Sequence, residues 1–218
     1  MKILLFGGTG RTGKMIIEEA GRRGIEIVTI AGDPAKLEGA GVEVVRGTPY
    51  DAQTVKKAIR GCDAVINTLN VSRKTDNPWA PLRAPEDLIS KSALNAIAAM
   101  KKEGIKRFVA LSAIGAGRSR KKIPLLLKAI ISFSNMKYAF RDHGRQEEIL
   151  ESSEMEYTIC RAPMLSEKPD ETGAVSTPEG VRPASMVLSR QAAARFFLDI
   201  ISNREHIRET ISLANRPG

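Results

Sequence analysis

Met1-Lys-Ile-Leu-Leu-Phe6 runs into Gly7-Gly-Thr-Gly-Arg-Thr-Gly13 and then into Lys14-Met-Ile-Ile-Glu-Glu-Ala20. An apolar stretch of strand length, a glycine turn and an amphipathic run in that order predict strand, tight bend and helix. Glycines let the main chain turn sharply and come close to a diphosphate. The unpaired N–H groups at the positive end of the first helix supply the field that holds it. Four glycines in seven residues also occur in ordinary loops, so the weight comes from context. Ile25-Glu-Ile-Val-Thr-Ile30 completes a βαβ unit around the turn, which is the setting a dinucleotide site requires.

Further along, strand and helix patterns alternate. Asp33-Pro-Ala-Lys-Leu37 reads as a turn with a short helical start, and Val42 to Val45 as a third strand. Asp51 is placed to cap a helix from Ala52 to Ile59, and Cys62 to Leu69 supplies a fourth strand. Pro85 to Lys102 has helical periodicity, followed by a fifth strand from Arg107 to Ser112. Ile123 to Ser152 is helical with a break near Ser132 to Asn135, and Tyr157 to Arg161 is a sixth strand. Pro163 to Pro183, rich in Gly, Pro, Ser and Thr, reads as loop. Ser189 is an N-cap for the helix ending at Ile200, and Glu209 to Leu213 is a last strand. The pattern predicts an α/β fold: one Rossmann-type doubly wound parallel sheet with helices on both faces and ligands at the carboxyl ends of the strands.

Length and composition agree with a single domain over residues 1–218: 42% hydrophobic residues suffice for one core and leave no room for a large second unit. Cys62 and Cys160 lack metal-ligand spacing and no export signal precedes them, so reduced core thiols and a cytoplasmic setting are expected. No metal site is expected. The longest apolar run, Ile123 to Phe133, is interrupted by Lys128 and is too short to span a bilayer, so no membrane partner is expected. A net charge of +9 and the cluster Arg118-Ser-Arg-Lys-Lys122 would suit phosphate contacts. With 5% aromatic residues and no recognition motif, nucleic acid is not the expected partner.

The spacing Gly7-x-x-Gly10-x-x-Gly13, together with Val44 to Asp51, Gly61-Cys-Asp-Ala-Val-Ile66, Ala110-Leu-Ser-Ala-Ile114, Asp142-His143 and Ser189-Arg-Gln-Ala-Ala-Ala194, resembles the atypical short-chain dehydrogenase/reductases over nearly the whole chain. Within that group the chain is similar to biliverdin reductase B (flavin reductase) and to NmrA-like NAD(P)-binding proteins. The resemblance implies that Gly7, Thr9, Gly10, Arg11, Thr12 and Gly13 surround the pyrophosphate and adenosine ribose. It puts Asp51 beside the adenine, Leu69 and Asn70 beside the ribose, and Ala162, Pro163, Met164 and Leu165 beside the nicotinamide amide. For Asp51 the alternative is a simple helix cap. Gly32 stands where NAD-preferring relatives carry an acidic residue, and Asp33, next to Pro34, initiates a turn. Arg11 and Lys36 remain as cations for a 2′-phosphate, which leans the cofactor toward NADP. Gly47-Thr48 departs from the usual Gly-Asp.

The Tyr-x-x-x-Lys dyad, in which lysine lowers the phenol pKa for proton transfer, is not evident: Tyr138 is followed four places on by Asp142. Aligning that helix puts His143 where relatives have the lysine and Ala139 where they have the tyrosine. Alcohol chemistry is therefore disfavoured. Hydride transfer to a flavin, quinone or linear tetrapyrrole needs little acid, because such acceptors delocalise the charge. Ser112 is the candidate hydrogen-bonding group, with a plain strand-end hydroxyl as its alternative. His143 is the candidate donor or orienting group, with a surface histidine held by Asp142 as its alternative. Met136, Met164, Leu125 to Leu127 and Phe133 are candidates for an apolar wall, and Trp79 for a lid. The substrate side is expected in loops 72–86, 117–135 and 166–183. Two further readings stand beside the reductase: an NmrA-like sensor that binds NAD(P) without turnover, and an NAD(P)-binding assembly factor. Oligomeric state is not legible.

Overall fold

The computed structural model describes residues 1–169, 173–178 and 186–215. The first βαβ unit is β1 (Lys2–Phe6), α1 (Arg11–Arg22) and β2 (Glu26–Ala31). There follow β3 (Glu43–Arg46), α2 (Ala52–Ala58), β4 (Ala64–Asn67), α3 (Leu88–Glu103) and β5 (Arg107–Ala113). Next come α4 (Leu125–Phe133), α5 (Met136–Glu151), β6 (Glu156–Ala162) and β7 (Met164–Ser166). The chain then forms β8 (Ala174–Pro178), β9 (Val187–Ser189), α6 (Arg190–Ser202) and β10 (Glu209–Asn215). Short 3-10 turns occupy Pro34–Leu37 and Gly117–Lys122.

The main sheet runs β3-β2-β1-β4-β5-β6-β10-β8. All pairings are parallel except β10 with β8, where Ile211 lies opposite Pro178 and Asn215 opposite Ala174. Strand order reverses between β1 and β4, which opens the crevice where a doubly wound sheet receives its ligand. The stretch expected as loop from Pro163 to Pro183 therefore contains β7 and β8. A three-residue strand and one with proline at its end carry too little periodicity to be read in advance. The break expected near Ser132 to Asn135 separates α4 from α5.

Strand alternation divides the core. Ile3 and Leu5 of β1 pack with Ile16, Ile17 and Ala20 of α1 and Phe197 and Ile201 of α6. Leu4 and Phe6 point the other way, against Val55 and Ala58 of α2 and Ala93, Ile97 and Met100 of α3. Both cysteines are free and buried; burial raises both thiols, Cys62 to about 11.

Buried polar groups tie α5 to the sheet and to α3. The Asp142 carboxylate caps α3, accepting from the Ile89 amide at 2.6 Å, the Ser90 amide and the Ser90 hydroxyl. Burial raises the Asp142 carboxyl above its ordinary value, and the hydrogen bonds from Ser90 and Ile89 oppose that rise. Asn67 at the end of β4 donates to Gln146 at 2.6 Å, and Gln146 donates to the Leu111 carbonyl at 3.1 Å. Ser189 precedes α6, yet its hydroxyl makes no capping bond and has no partner among the described residues. Among the described residues no helix is long and apolar enough to cross a membrane.

Candidate dinucleotide-binding site

The bend after β1 depends on Gly7 and Gly13. Gly7 sits at φ +89°, a region that costs a side chain heavily, and its carbonyl accepts from the Gly10 amide at 2.9 Å. A Cβ on Gly13 would lie 2.1 Å from that carbonyl oxygen and 2.8 Å from the Gly8 Cα. Only a residue without a side chain lets α1 start this close to the strand it leaves. No side chain caps α1 at Gly10, and its first turn contains no acidic residue. The helix's positive end is thus left to an external anion.

Gly7, Thr9, Gly10, Arg11, Thr12 and Gly13 form one wall of a cleft of ≈ 420 Å³. Thr68, Leu69 and Asn70 after β4 form the opposite wall, Leu111 of β5 the floor, and Leu165 of β7 and Arg190 of α6 the far end. The Asn67 carboxamide accepts from the Leu69 amide at 3.0 Å, and the Thr68 hydroxyl donates to the Phe6 carbonyl at 2.9 Å. The wall after β4 is therefore fixed by the strand it leaves and by its neighbour β1.

The mouth is lined by Arg73, Thr75 and Asp76. These belong to a hairpin-like segment in which Arg73 bridges Leu82 and the Arg83 amide donates to the Ser72 carbonyl. Arg11 reaches across to Asp76 at 3.1 Å and to Glu167 at 3.6 Å, joining the glycine bend to both flanking loops. All three side chains are more than half exposed, so these pairs are weak. Arg190 donates to the Leu165 carbonyl at 2.6 Å, which pins β7 to the start of α6. Burial lowers the Arg190 pKa, and the nearby Arg11 charge adds to that effect.

Several expected residues lie elsewhere. Asp51 caps α2, accepting from the Gln53 and Thr54 amides and the Thr54 hydroxyl, and these bonds lower its pKa. That is its alternative reading, and the residue does not line the cleft. Lys36 is exposed on the 3-10 turn, 3.9 Å from Asp33, outside the cleft lining. Of Ala162, Pro163, Met164 and Leu165, only Leu165 lines the cleft. Ala162 and Pro163 are buried, and Met164, 69% exposed, faces outward. Trp79 is not a lid: its indole N–H donates to the Phe133 carbonyl at 3.2 Å, away from the cleft.

Ser112 and His143 are both corrected. Leu111 faces the cleft, so the next residue of the strand points to the opposite face of the sheet. There the Ser112 hydroxyl donates to Glu147 Oε1 at 2.6 Å. The same carboxylate accepts from Arg161 at 3.0 and 2.8 Å, a buried two-point ion pair. His143 is buried rather than exposed, Asp142 is spent on α3, and His143 Nδ1 has no partner among the described residues. Burial lowers its pKa to about 4, which disfavours the imidazolium form a general acid would need at pH 7. Sequence reading missed Arg73, Asp76 and Arg190. Arg190 carried one usable signal, its place directly after Ser189 at a helix start beside a strand end.

The parallel sheet, the uncapped helix at its switch point and the cleft between them define a Rossmann-type dinucleotide-binding protein. The chain belongs to the NAD(P)H-binding family, whose model matches residues 7–204. It is 32% identical over 129 residues to the photosystem II assembly factor Ycf39 of Synechocystis sp., a match covering 58% of this chain and 37% of that protein. The chain thus spans less than half the length of that relative. The solved structure of ChuY, an anaerobillin reductase from Escherichia coli O157:H7, superposes with a TM-score of 0.80 at 22% identity, covering 100% of both chains. A short-chain dehydrogenase/reductase from Veillonella parvula in complex with NADP gives a TM-score of 0.78 at 17% identity, covering 100% of this chain and 95% of that one.

Gly13→Ala is expected to weaken coenzyme binding at least about tenfold, roughly 1.4 kcal/mol, because the new methyl drives the tip of α1 off the bend. Calorimetric titration reads the loss, with circular dichroism to establish that the fold persists. A second expectation concerns pH. The folded His143 pKa lies below the unfolded value, so the unfolded chain takes the proton first. Stability from this residue is present above about pH 6.5 and is lost as pH falls toward about 4, on the order of 3 kcal/mol in all. Urea unfolding at pH 7 and pH 4.5 should show a smaller drop for His143→Leu than for the parent.

Proposed function

We propose that this protein transfers hydride from NAD(P)H to a flat conjugated acceptor of the flavin, quinone or tetrapyrrole type. The observation that carries the reading is a dinucleotide cleft that neither candidate proton donor, Ser112 nor His143, lines. Ser112 is committed to Glu147, and His143 is buried and neutral. A ketone needs a positioned acid as its oxygen gains charge. A conjugated ring system spreads the charge of the incoming hydride and collects its proton from solvent.

Bound nicotinamide supplies the hydride. The protein's part is placement: the bend from Gly7 to Gly13 holds the diphosphate, Leu69 and Asn70 bound the ribose side, and Leu111 and Leu165 give the cleft an apolar floor and end. The name of the ChuY neighbour, an anaerobillin reductase, supports the tetrapyrrole member of the acceptor class. The lean toward NADP rests on Gly32 at the end of β2 and on Asp33, whose carboxylate accepts from the Ala35 amide in its own turn. Arg11, which lines the cleft, is the cation offered to a 2′-phosphate. A second reading, an NAD(P)-binding assembly factor, is favoured by the match to Ycf39.

Purified protein should oxidise NADPH when FMN, a quinone or biliverdin is added, and only then. Arg11→Ala should weaken NADPH at least about tenfold while NADH changes less. Coenzyme binding without acceptor-dependent oxidation across the panel would remove the reductase reading, and stable capture of a larger complex would favour the assembly reading.

A further inference from the structure

The solvent-facing arc of α4 is apolar. Leu125, Leu126, Ala129 and Phe133 are exposed, Leu125 at 80%, Leu126 at 74% and Phe133 at 82%, while Ile131 on the opposite side is buried. At 100° per residue those four positions occupy one arc of the helix, the part that ordinarily bears charge. Trp79, 60% exposed, extends this face at the end of the helix, because its indole is bonded to the Phe133 carbonyl. Asn135 fixes the arrangement by donating to the Trp79 and Ala80 carbonyls at 3.0 and 3.1 Å. None of these residues lines the coenzyme cleft, so the face stands apart from the dinucleotide site.

A basic rim adjoins it. The 3-10 turn Gly117–Lys122 leads into α4 through Ile123 and Pro124, and Lys121 and Lys122 are exposed on it. Arg120 donates to the Ser132 hydroxyl at 2.7 Å and Lys128 to the Lys121 carbonyl at 3.0 Å, so the turn is fastened along the side of α4. Arg118, paired with Glu151 at 2.6 Å, lies on the same turn.

We propose that this face docks the protein on an anionic lipid surface, with Leu125, Leu126, Phe133 and Trp79 entering the interface and the rim from Arg118 to Lys122 meeting the headgroups. Two observations select that occupant. Leu125, Leu126 and Phe133 are each more than 70% exposed, so these apolar side chains project into solvent where a fluid layer can take them up. The charge beside them is positive, which complements acidic headgroups, as in interfacial helices with aromatic and aliphatic residues on one side and Lys or Arg on the other. A second copy of the chain would bring a like rim into the same interface on a molecule already carrying +9. No spanning helix is needed, so the length argument against a membrane span does not bear on this face.

Trp79 is the sole tryptophan, so its emission reports contact directly. Mixed with vesicles of phosphatidylcholine containing one quarter phosphatidylglycerol, the full chain should sediment with the lipid and its emission should shift to the blue. Pure phosphatidylcholine should retain at least tenfold less. Combined Leu125→Ser, Leu126→Ser and Phe133→Ser, all at exposed positions, should cut retention at least tenfold and leave NADPH binding unchanged. Absence of binding to acidic vesicles at low salt overturns the proposal. So does equal retention of the triple variant, which would signal adsorption by net charge alone. A blue shift that follows protein concentration without lipid, with a dimer in sedimentation velocity, overturns it in favour of a second copy.

Discussion

The carbonyl of Gly7 and the α carbon of Gly13 cannot both hold their positions if residue 13 has a side chain, since a methyl there would sit 2.1 Å from the oxygen. Everything at the cleft follows from that approach. It lets α1 start immediately above the end of β1, which aims the helix's uncapped first turn into the crevice between β1 and β4. It also sets the lateral position of α1 on the sheet, where Ile16 and Ile17 meet Ile3 and Leu5. The same crowding that forbids a side chain admits a diphosphate only from the open side, so binding geometry and core packing are decided by one contact.

A second constraint lies behind the strand ends, on the face away from the cleft. Glu147 and Arg161 form a buried pair that takes up the Ser112 hydroxyl, and Gln146 links Asn67 to the Leu111 carbonyl. One turn of α5 thereby holds the carboxyl ends of β4, β5 and β6 at fixed spacing. Breaking a buried pair of this kind from one side strands a charge, at a cost of about 3–5 kcal/mol. The network therefore acts through position: it holds Leu69, Asn70 and Leu111 beside the cleft, and in doing so it occupies the Ser112 hydroxyl.

This explains what the sequence revealed and what it hid. The glycine spacing, the alternation of Ile3, Leu4, Leu5 and Phe6, and the helix break before Met136 are local signals, and each corresponds to the element found. β8 was not legible, because its pairing with β10 is set by a distant strand and its own five residues end in proline. Ser112 ends a central strand, and from sequence alone it is expected to face the ligand. A one-residue difference in which face looks toward the cleft reverses that, and only Leu111 packing toward α1 and α6 reveals it. His143 was misread for a similar reason: helical periodicity says which residues share a stripe, while whether that stripe meets solvent or sheet is decided by the packing of α5. Arg73, Asp76 and Arg190 come from three separate segments, and their meeting at the mouth is a tertiary fact.

The two faces of the molecule make opposite use of α5's neighbourhood. On the sheet side, polar groups are buried and paired, which ties α5 to the strand ends beside the cleft. On the outer side, α4 leaves its apolar residues uncovered while Lys128 and Ser132 turn aside to bond the preceding basic turn. With Ile131 its buried residue, α4 gains little from packing, and its attachment comes from those side bonds and from Asn135 and Trp79 beyond its end. Such an element is held in place without being covered. That combination is costly in water for a helix with no further contact to make, and it argues that the arc from Leu125 to Phe133 is kept for something outside the chain.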